Sequence, residues 1–116
     1  MRDHRRLLAF QLADRLTISV YELTRRFPPE ERFVLVPQLR RAAISIGANI
    51  VEGCARESKN EYVRFLCIAY ASARELQYEF TIATRLGYVE KQSIELTERL
   101  AERNCRTLHN LIKSLR

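Results

Sequence analysis

Residues Gln38–Gly53, QLRRAAISIGANIVEG, have the apolar spacing of an amphipathic helix. At about 100° per residue, one broad apolar stripe runs along this segment and the residues just before it. A second group, Ile44, Ala48 and Val51, is also apolar but lies outside the stripe. Since a helix that is apolar around much of its circumference is usually buried on two sides, we expect this second group to contact another subunit. The stripe itself comprises Leu35, Leu39, Ala42, Ala43, Ile46 and Ile50.

One helix is predicted before this segment, from about Leu7 to Arg26, and Phe27-Pro28-Pro29 ends it. Its predicted buried face comprises Leu12, Leu16, Val20, Leu23 and Phe27. We expect a short turn at Pro29–Phe33 and the start of helix two at Pro37, since proline is tolerated at a first helical position. Helix two should end near Gly53. Its central Gly47 predicts either close approach of a neighbouring backbone or a slight bend.

Two more helices are predicted after the connector at residues 53–57. Ser58 and Glu61 have the spacing of a capping box at the start of helix three, which should run to Leu86 with Gly87 as its stop. Its seam alternates steps of four and three, as in left-handed bundle packing. That seam comprises Tyr62, Leu66, Ala69, Ala73, Leu76, Phe80 and Ala83. Helix four should run from Lys91 or Ser93 to the end, with Ile94, Ala101, Leu108 and Leu115 inside.

The predicted fold class is therefore all-α: an up-down-up-down antiparallel four-helix bundle, with residues 1–116 forming a single domain. No β pattern and no internal repeat is present in the sequence. Apolar residues make up 47% of the chain, which suffices for a core. No apolar run is long enough to predict a membrane span, and the N-terminal segment lacks the features of a secretory signal.

Composition also bears on compartment and on partners. The three cysteines, Cys54, Cys67 and Cys105, have no metal-like spacing, so we expect reduced thiols in a cytoplasmic protein. The formal net charge of +6 permits nucleic-acid binding without demonstrating it.

A basic patch is the candidate nucleic-acid site. It comprises Arg40, Arg41, Arg56, Lys59 and Arg64. Arginine suits phosphate because its planar guanidinium presents several donors. The alternative is that these cations are solvated helix ends or intersubunit ion pairs. Tyr62, Tyr70, Tyr78 and Tyr88 could stack on unpaired bases, although tyrosines at such helical spacing are more often core or interface residues.

A polar group on helix two has two interpretations. It comprises Arg41, Ser45, Asn49 and Glu52. We interpret it as a structural polar network that fixes helix register; the alternative is a catalytic Glu52 beside an amide and a guanidinium. We predict no catalytic, cofactor-binding or metal site, because His4 and His109 lack ligand-spaced partners and Cys54 has no base beside it in sequence. There is no Gly-rich phosphate loop.

Three segments carry a resemblance to a known family: FPPEERF at residues 27–33, QLRRAAISIGANIVEG at 38–53 and RESKNEYVRFL at 56–66. The chain resembles, from about Leu7 to Leu111, the four-helix bundle proteins encoded by intervening sequences in bacterial 23S ribosomal RNA genes. The resemblance implies a ring-forming homo-oligomer, with five subunits the first choice. It also resembles accessory proteins of diversity-generating retroelements, in which a basic bundle ring serves a reverse transcriptase and its RNA, so a nucleic-acid enzyme is an implied partner.

The expected function is that of a non-enzymatic homo-oligomer whose basic surface binds nucleic acid, RNA in the first place and DNA in the second. The alternative is a protein-interaction scaffold without a nucleic-acid ligand. A hydrolase or nuclease that uses Glu52 is the third class.

Overall fold

Four α-helices and two short 3-10 helices follow one another along the chain. The computed structural model describes residues 2–116, with helices α1 (Leu8–Thr24), α2 (Leu35–Cys54), α3 (Lys59–Arg85) and α4 (Lys91–Leu115). The 3-10 helices are His4–Arg6 and Pro29–Glu31. No strand occurs among residues 2–116, so the predicted all-α class is confirmed.

Each α-helix packs against the next one in the chain, and α1 closes the bundle against α4. Hydrogen bonds between α1 and α2 show that these helices are antiparallel. Thr17 donates to the Ala43 carbonyl, whereas Thr24, further along α1, accepts from Arg40, which comes earlier in α2. The up-down-up-down bundle is confirmed, with extents of 44 × 24 × 19 Å. Within the described residues, no helix is both long and apolar enough to cross a membrane.

The core lies along the four predicted seams. On α2 the stripe residues Leu39, Ile46 and Ile50 are fully buried, and only Leu35 is half-buried. Every residue of the predicted α3 seam is buried, from Tyr62 to Ala83. A repeat near 3.5 residues keeps such a seam facing its neighbours along the whole bundle, which is why the sequence pattern and the burial agree.

Helix α2 begins at Leu35 and not at Pro37, which corrects the expected start. Pro37 is the third residue of the helix, where the N–H that proline lacks would have no intrahelical acceptor, so it costs the helix little. The first N–H of the helix, on Leu35, instead donates to Glu31 Oε1 at 3.2 Å. A carboxylate at this position also favours the helix dipole.

Both ends of α3 lie where the sequence predicts them, although only one of the two hydrogen bonds of the predicted capping box forms at its N-terminal end. Ser58 Oγ accepts from the Glu61 N–H at 3.0 Å, but the Glu61 side chain pairs with Arg64, so the reciprocal half of the capping box is not made. At the other end Gly87 has φ of 75°. The Tyr88 and Gly87 N–H groups donate back to Ala83 and Thr84, the Schellman arrangement that glycine allows at least cost.

The close approach expected at Gly47 occurs at Gly53 instead. A Cβ built on Gly47 would lie 3.8 Å from the Phe10 ring and 3.9 Å from Ala13 Cβ, which is ordinary contact. A Cβ on Gly53 would lie 2.9 Å from Phe65 Cβ and 3.3 Å from the Tyr62 carbonyl oxygen. Glycine at position 53 therefore lets α2 and α3 meet where the chain turns between them.

Candidate assembly and nucleic-acid interfaces

The outer side of α2 carries an apolar strip that its own bundle does not cover. Ile44 and Val51 are 47% and 37% exposed, and Ala48 is exposed between them. On the neighbouring α3, Ile68 is also 37% exposed. The sequence predicts Ile44, Ala48 and Val51 for a subunit contact, which stays a prediction, and Ile68 extends the same exposed surface onto α3. We call Ile44, Ala48, Val51 and Ile68 the apolar strip.

Beside the strip, α2 and α3 are joined by a small polar cluster. Asn49 Nδ2 donates to the Ser45 carbonyl at 2.8 Å and lies 3.0 Å from Ser45 Oγ. Ser45 Oγ in turn lies 2.9 Å from Ser72 Oγ on α3. This chain of hydrogen bonds satisfies half-buried groups and links the two helices at one register.

Arg41 and Glu52 are placed in other pairs. Arg41 donates to Gln38 at 2.6 Å and lies 3.7 Å from Glu75 of α3. Glu52 is exposed and pairs with Arg56 at 3.1 Å. The structure thus brings Ser45 and Asn49 together, whereas Arg41 and Glu52 point to separate partners.

Glu79 on α3 is a buried carboxyl that the sequence analysis did not single out. It is 8% exposed, and among the described residues nothing donates a hydrogen bond to its Oε1 atom. Burial, a hydrogen bond with Glu75 and the charge of that residue together raise the pKa of Glu79 to about 7, while the Arg41 charge acts in the opposite direction. The seven-residue repeat Phe65, Ser72, Glu79 beside the main seam is the pattern that could have revealed it.

The predicted basic residues divide between the two ends of the bundle. Arg40 is half-buried at one end, where its Nε donates to Thr24 Oγ1 at 2.9 Å and its guanidinium lies 4.4 Å from the centre of the Tyr21 ring. It therefore helps to hold α2 against α1. Arg41 lies one residue further along, with most of its side chain exposed.

Arg56, Lys59 and Arg64 lie together at the other end. The guanidinium groups of Arg56 and Arg64 lie 4.8 and 4.6 Å from the Phe65 ring centre. Each also pairs with an acid, Arg56 with Glu52 and Arg64 with Glu61 at 3.0 Å. Lys59 is exposed. Exposed pairs of this kind are weak, so a polyanion can compete for both arginines.

The two ends of the chain add cations to the same end of the bundle. Arg2 donates to the Arg56 carbonyl at 2.7 Å and lies 4.1 Å over the Tyr62 ring. Arg116 donates to Cys67 Sγ at 3.5 Å, and it lines one cleft with Lys59 and Arg64. We call this region the basic end. Its cations are Arg2, Arg5, Arg6, Arg56, Lys59, Arg64, Lys113 and Arg116, and its acids are Asp3, Glu52, Glu57 and Glu61.

The family model described as "23S rRNA-intervening sequence protein" matches residues 5–110. The chain belongs to this family. A crystal structure from Bacteroides thetaiotaomicron, described as a protein of unknown function from the S23 ribosomal protein family, has the same fold. Its TM-score is 0.82 at 23% identity, over 91% of this chain and 99% of that one. A search of curated proteins found none with significant similarity.

Neither the description of the family nor that of the related crystal structure names an enzymatic activity. The cysteines of this protein are free thiols, and burial raises the pKa of Cys54 and Cys105. Both therefore stay protonated at neutral pH and are poor nucleophiles. Among residues 2–116, no group of three or more His, Cys, Asp or Glu residues is placed to hold a metal ion.

Proposed function

We propose that this protein is a non-enzymatic, cytoplasmic homo-oligomer that binds nucleic acid, RNA in particular, through its basic end. The observation that carries the proposal is the collection of cations from three separate parts of the chain at one end of the bundle. Arg2 and Arg56 are in direct contact there, and Arg116 shares a cleft with Lys59. Phosphate binding of this kind is electrostatic and needs no base contacts.

The assembly part of the proposal rests on the apolar strip. Full burial of an exposed Ile or Val side chain contributes roughly 1.5–3 kcal/mol, and covering the 47% of Ile44 and 37% of Val51 that remain exposed gives a bit less than half of that per side chain, roughly 0.5–1.5 kcal/mol. The family resemblance favours a closed ring, with five subunits our first choice. A ring repeats the basic end once per subunit, so weak phosphate contacts add up through multivalency.

RNA binding is tested by reversing charge at the basic end. The triple variant Arg56→Glu, Lys59→Glu and Arg64→Glu should lose at least about tenfold in affinity for a labelled RNA at low salt. The matched control reverses Arg25, Arg85 and Lys91, which are exposed at the opposite end and change the net charge equally. Equal affinity of both triple variants, with fold and assembly intact, would exclude the basic end as the binding surface.

Assembly is tested by Ala48→Arg, which places bulk and an unpaired charge in the middle of the apolar strip. We expect light scattering after size exclusion to show a smaller, still helical species. Thr81→Arg, on the side of α3 turned away from α2, should keep the wild-type mass. An Ala48→Arg protein with the mass and melting temperature of the wild type would mean that the strip is not the interface.

The second candidate function is a protein-interaction scaffold. The observation that favours it is that Arg56 and Arg64 already have acidic partners in the same subunit. A scaffold would bind neither RNA nor DNA at low salt, whereas the proposed function predicts binding that falls steeply as salt is added.

A further inference from the structure

The carboxyl pair Glu75 and Glu79 lies at the edge of the proposed assembly surface. Both residues are on α3, one turn apart, beside Ser72 and close to Arg41 of α2. Glu75 is partly exposed, with 43% of its side chain accessible, while Glu79 is buried behind it. Glu75, the exposed member of the pair, is therefore reached from the same side as Ile44 and Ile68 of the apolar strip.

The hydrogen bonding of this pair is incomplete within one subunit. Glu79 Oε1 is buried without a donor, and its carboxyl neighbour can donate only when protonated. The charged groups that act on Glu79 are Glu75 on its own helix and Arg41 on α2. Arg41 is mostly exposed and its distance of 3.7 Å is to Glu75, so it does not replace a direct donor for Glu79. With a pKa of about 7, this buried carboxyl is held in the protonated form below neutral pH unless a cation comes to it.

The opposite face of the same bundle carries the complementary groups. That face is formed by α1 and α4, since α2 and α3 pack together on the other side. Ile18 and Leu96 are exposed there. Among its exposed arginines, Arg15, Arg99 and Arg103 form no ion pair with any acid among residues 2–116. One face thus offers apolar side chains with a carboxyl pair, and the other offers apolar side chains with unpaired guanidinium groups.

We propose that the Glu75–Glu79 pair is a docking point for a guanidinium from a second copy of this chain, supplied by its α1–α4 face. The arginine hydrogen-bonds to the accessible carboxylate of Glu75, and its charge beside Glu79 causes the proton held by the pair to be released to solvent. The contact joins two different faces, so it is heterologous and generates a ring when the rotation between subunits closes. This inference rests on the proposed self-association and adds its specificity and its dependence on pH.

The sign of the pH dependence follows from linkage. In the free subunit the pKa of Glu79 is about 7, so at lower pH the proton must be removed before the guanidinium can pair with a carboxylate. A partner cation lowers that pKa in the assembly, so association has its full strength above about pH 7 and weakens as the pH falls below it. The association constant per contact should be about tenfold larger at about pH 8 than at about pH 6.

The experiment measures that constant by sedimentation velocity at both pH values. Glu79→Gln should abolish the dependence while it leaves the amount of helix unchanged, because the amide can neither gain nor lose the proton. Glu98→Gln, an exposed change on α4, should keep the wild-type dependence. A pH dependence that survives in Glu79→Gln belongs to other groups and overturns the inference.

The partner face is tested in the same assay. Neutralising Arg15, Arg99 and Arg103 to Gln should reproduce the behaviour of Glu79→Gln, and combining both sets of changes should weaken assembly no further. Full additivity would overturn the assignment of these arginines. An assembly that forms equally at both pH values overturns the docking role of Glu79 and leaves the proposed oligomer standing. A chain that is monomeric at both pH values overturns the proposed oligomer itself, and this inference with it.

Discussion

Gly47 and Gly53 belong to the same helix but have different surroundings. The site at Gly53 is closed by atoms that cannot move far, the Phe65 Cβ and the Tyr62 carbonyl oxygen. The site at Gly47 has only the edge of the Phe10 ring and Ala13 Cβ, both at contact distance. Packing therefore requires glycine at position 53. At position 47 glycine lowers helix stability, and the surrounding space would accept a methyl group.

These surroundings predict opposite effects for the same substitution. Gly53→Ala should lower the free energy of unfolding by about 1–3 kcal/mol, because the new methyl group forces α2 and α3 apart. Gly47→Ala should raise it by about 0.5–1 kcal/mol through better helix propensity. Urea unfolding followed by circular dichroism measures both changes. Similar values for the two variants would contradict the packing argument.

Helix α3 is the element whose beginning is most clearly encoded by local sequence. Ser58 caps it through the Glu61 N–H, while Glu61 uses its carboxylate to hold Arg64 at the basic end. The backbone N–H of Glu61 therefore takes part in the helix cap, while its side chain orients Arg64 at the basic end and does not complete the capping box. The Arg64 guanidinium also lowers the pKa of Glu61, so this pair persists well below neutral pH.

The cap predicts a modest and local stability effect. Ser58→Ala should lower the free energy of unfolding by about 1 kcal/mol, since one helix-terminal N–H loses its acceptor. Ser93→Ala serves as the control, because α4 has no side-chain cap and Ser93 is exposed. Thermal unfolding of both variants provides the comparison. Loss of stability in Ser93→Ala equal to that in Ser58→Ala would show that the cap contributes nothing specific.

At the scale of the whole molecule, charge is distributed unevenly along the bundle. Arg2 and Arg116 are separated by nearly the whole sequence, yet both lie beside residues of the connector between α2 and α3 or the first turns of α3. Antiparallel packing causes this: α1 and α3 start at the end of the bundle where α2 and α4 finish. The resulting basic end is larger than the patch predicted from Arg56, Lys59 and Arg64.

The enlarged basic end predicts a change in the salt dependence of RNA binding. Neutralising Arg2 and Arg116 to Gln should make the slope of log affinity against log salt shallower by about one to two, because up to two phosphate contacts are lost. Arg25→Gln with Arg85→Gln, at the opposite end, should leave the slope unchanged. Fluorescence anisotropy over a salt series measures it. An unchanged slope in the Arg2 and Arg116 variant would restrict the interface to the connector.

The sequence by itself determined the helices, their buried seams and the order in which they pack. These features depend on local propensity and on a short repeat, as the fully buried Leu39, Ala69 and Leu108 illustrate. The exposed strip of Ile44, Ala48 and Val51 was also readable, because apolar residues outside a seam stand out in a helical projection. The start of α2 could not be predicted from the sequence, because it depends on the Glu31 carboxylate accepting a hydrogen bond from the Leu35 N–H across a turn.

Only the tertiary structure decided which polar and charged groups meet. Arg40 binds Thr24 of α1, Glu52 binds Arg56, and the Oε1 atom of Glu79 is left without a donor. The physical reason is that long side chains reach partners on neighbouring helices, and which partner lies within hydrogen-bond distance depends on helix register and crossing. A difference of a few ångströms in register decides whether a carboxyl is paired, so the periodic pattern that encodes the bundle does not encode its ion pairs.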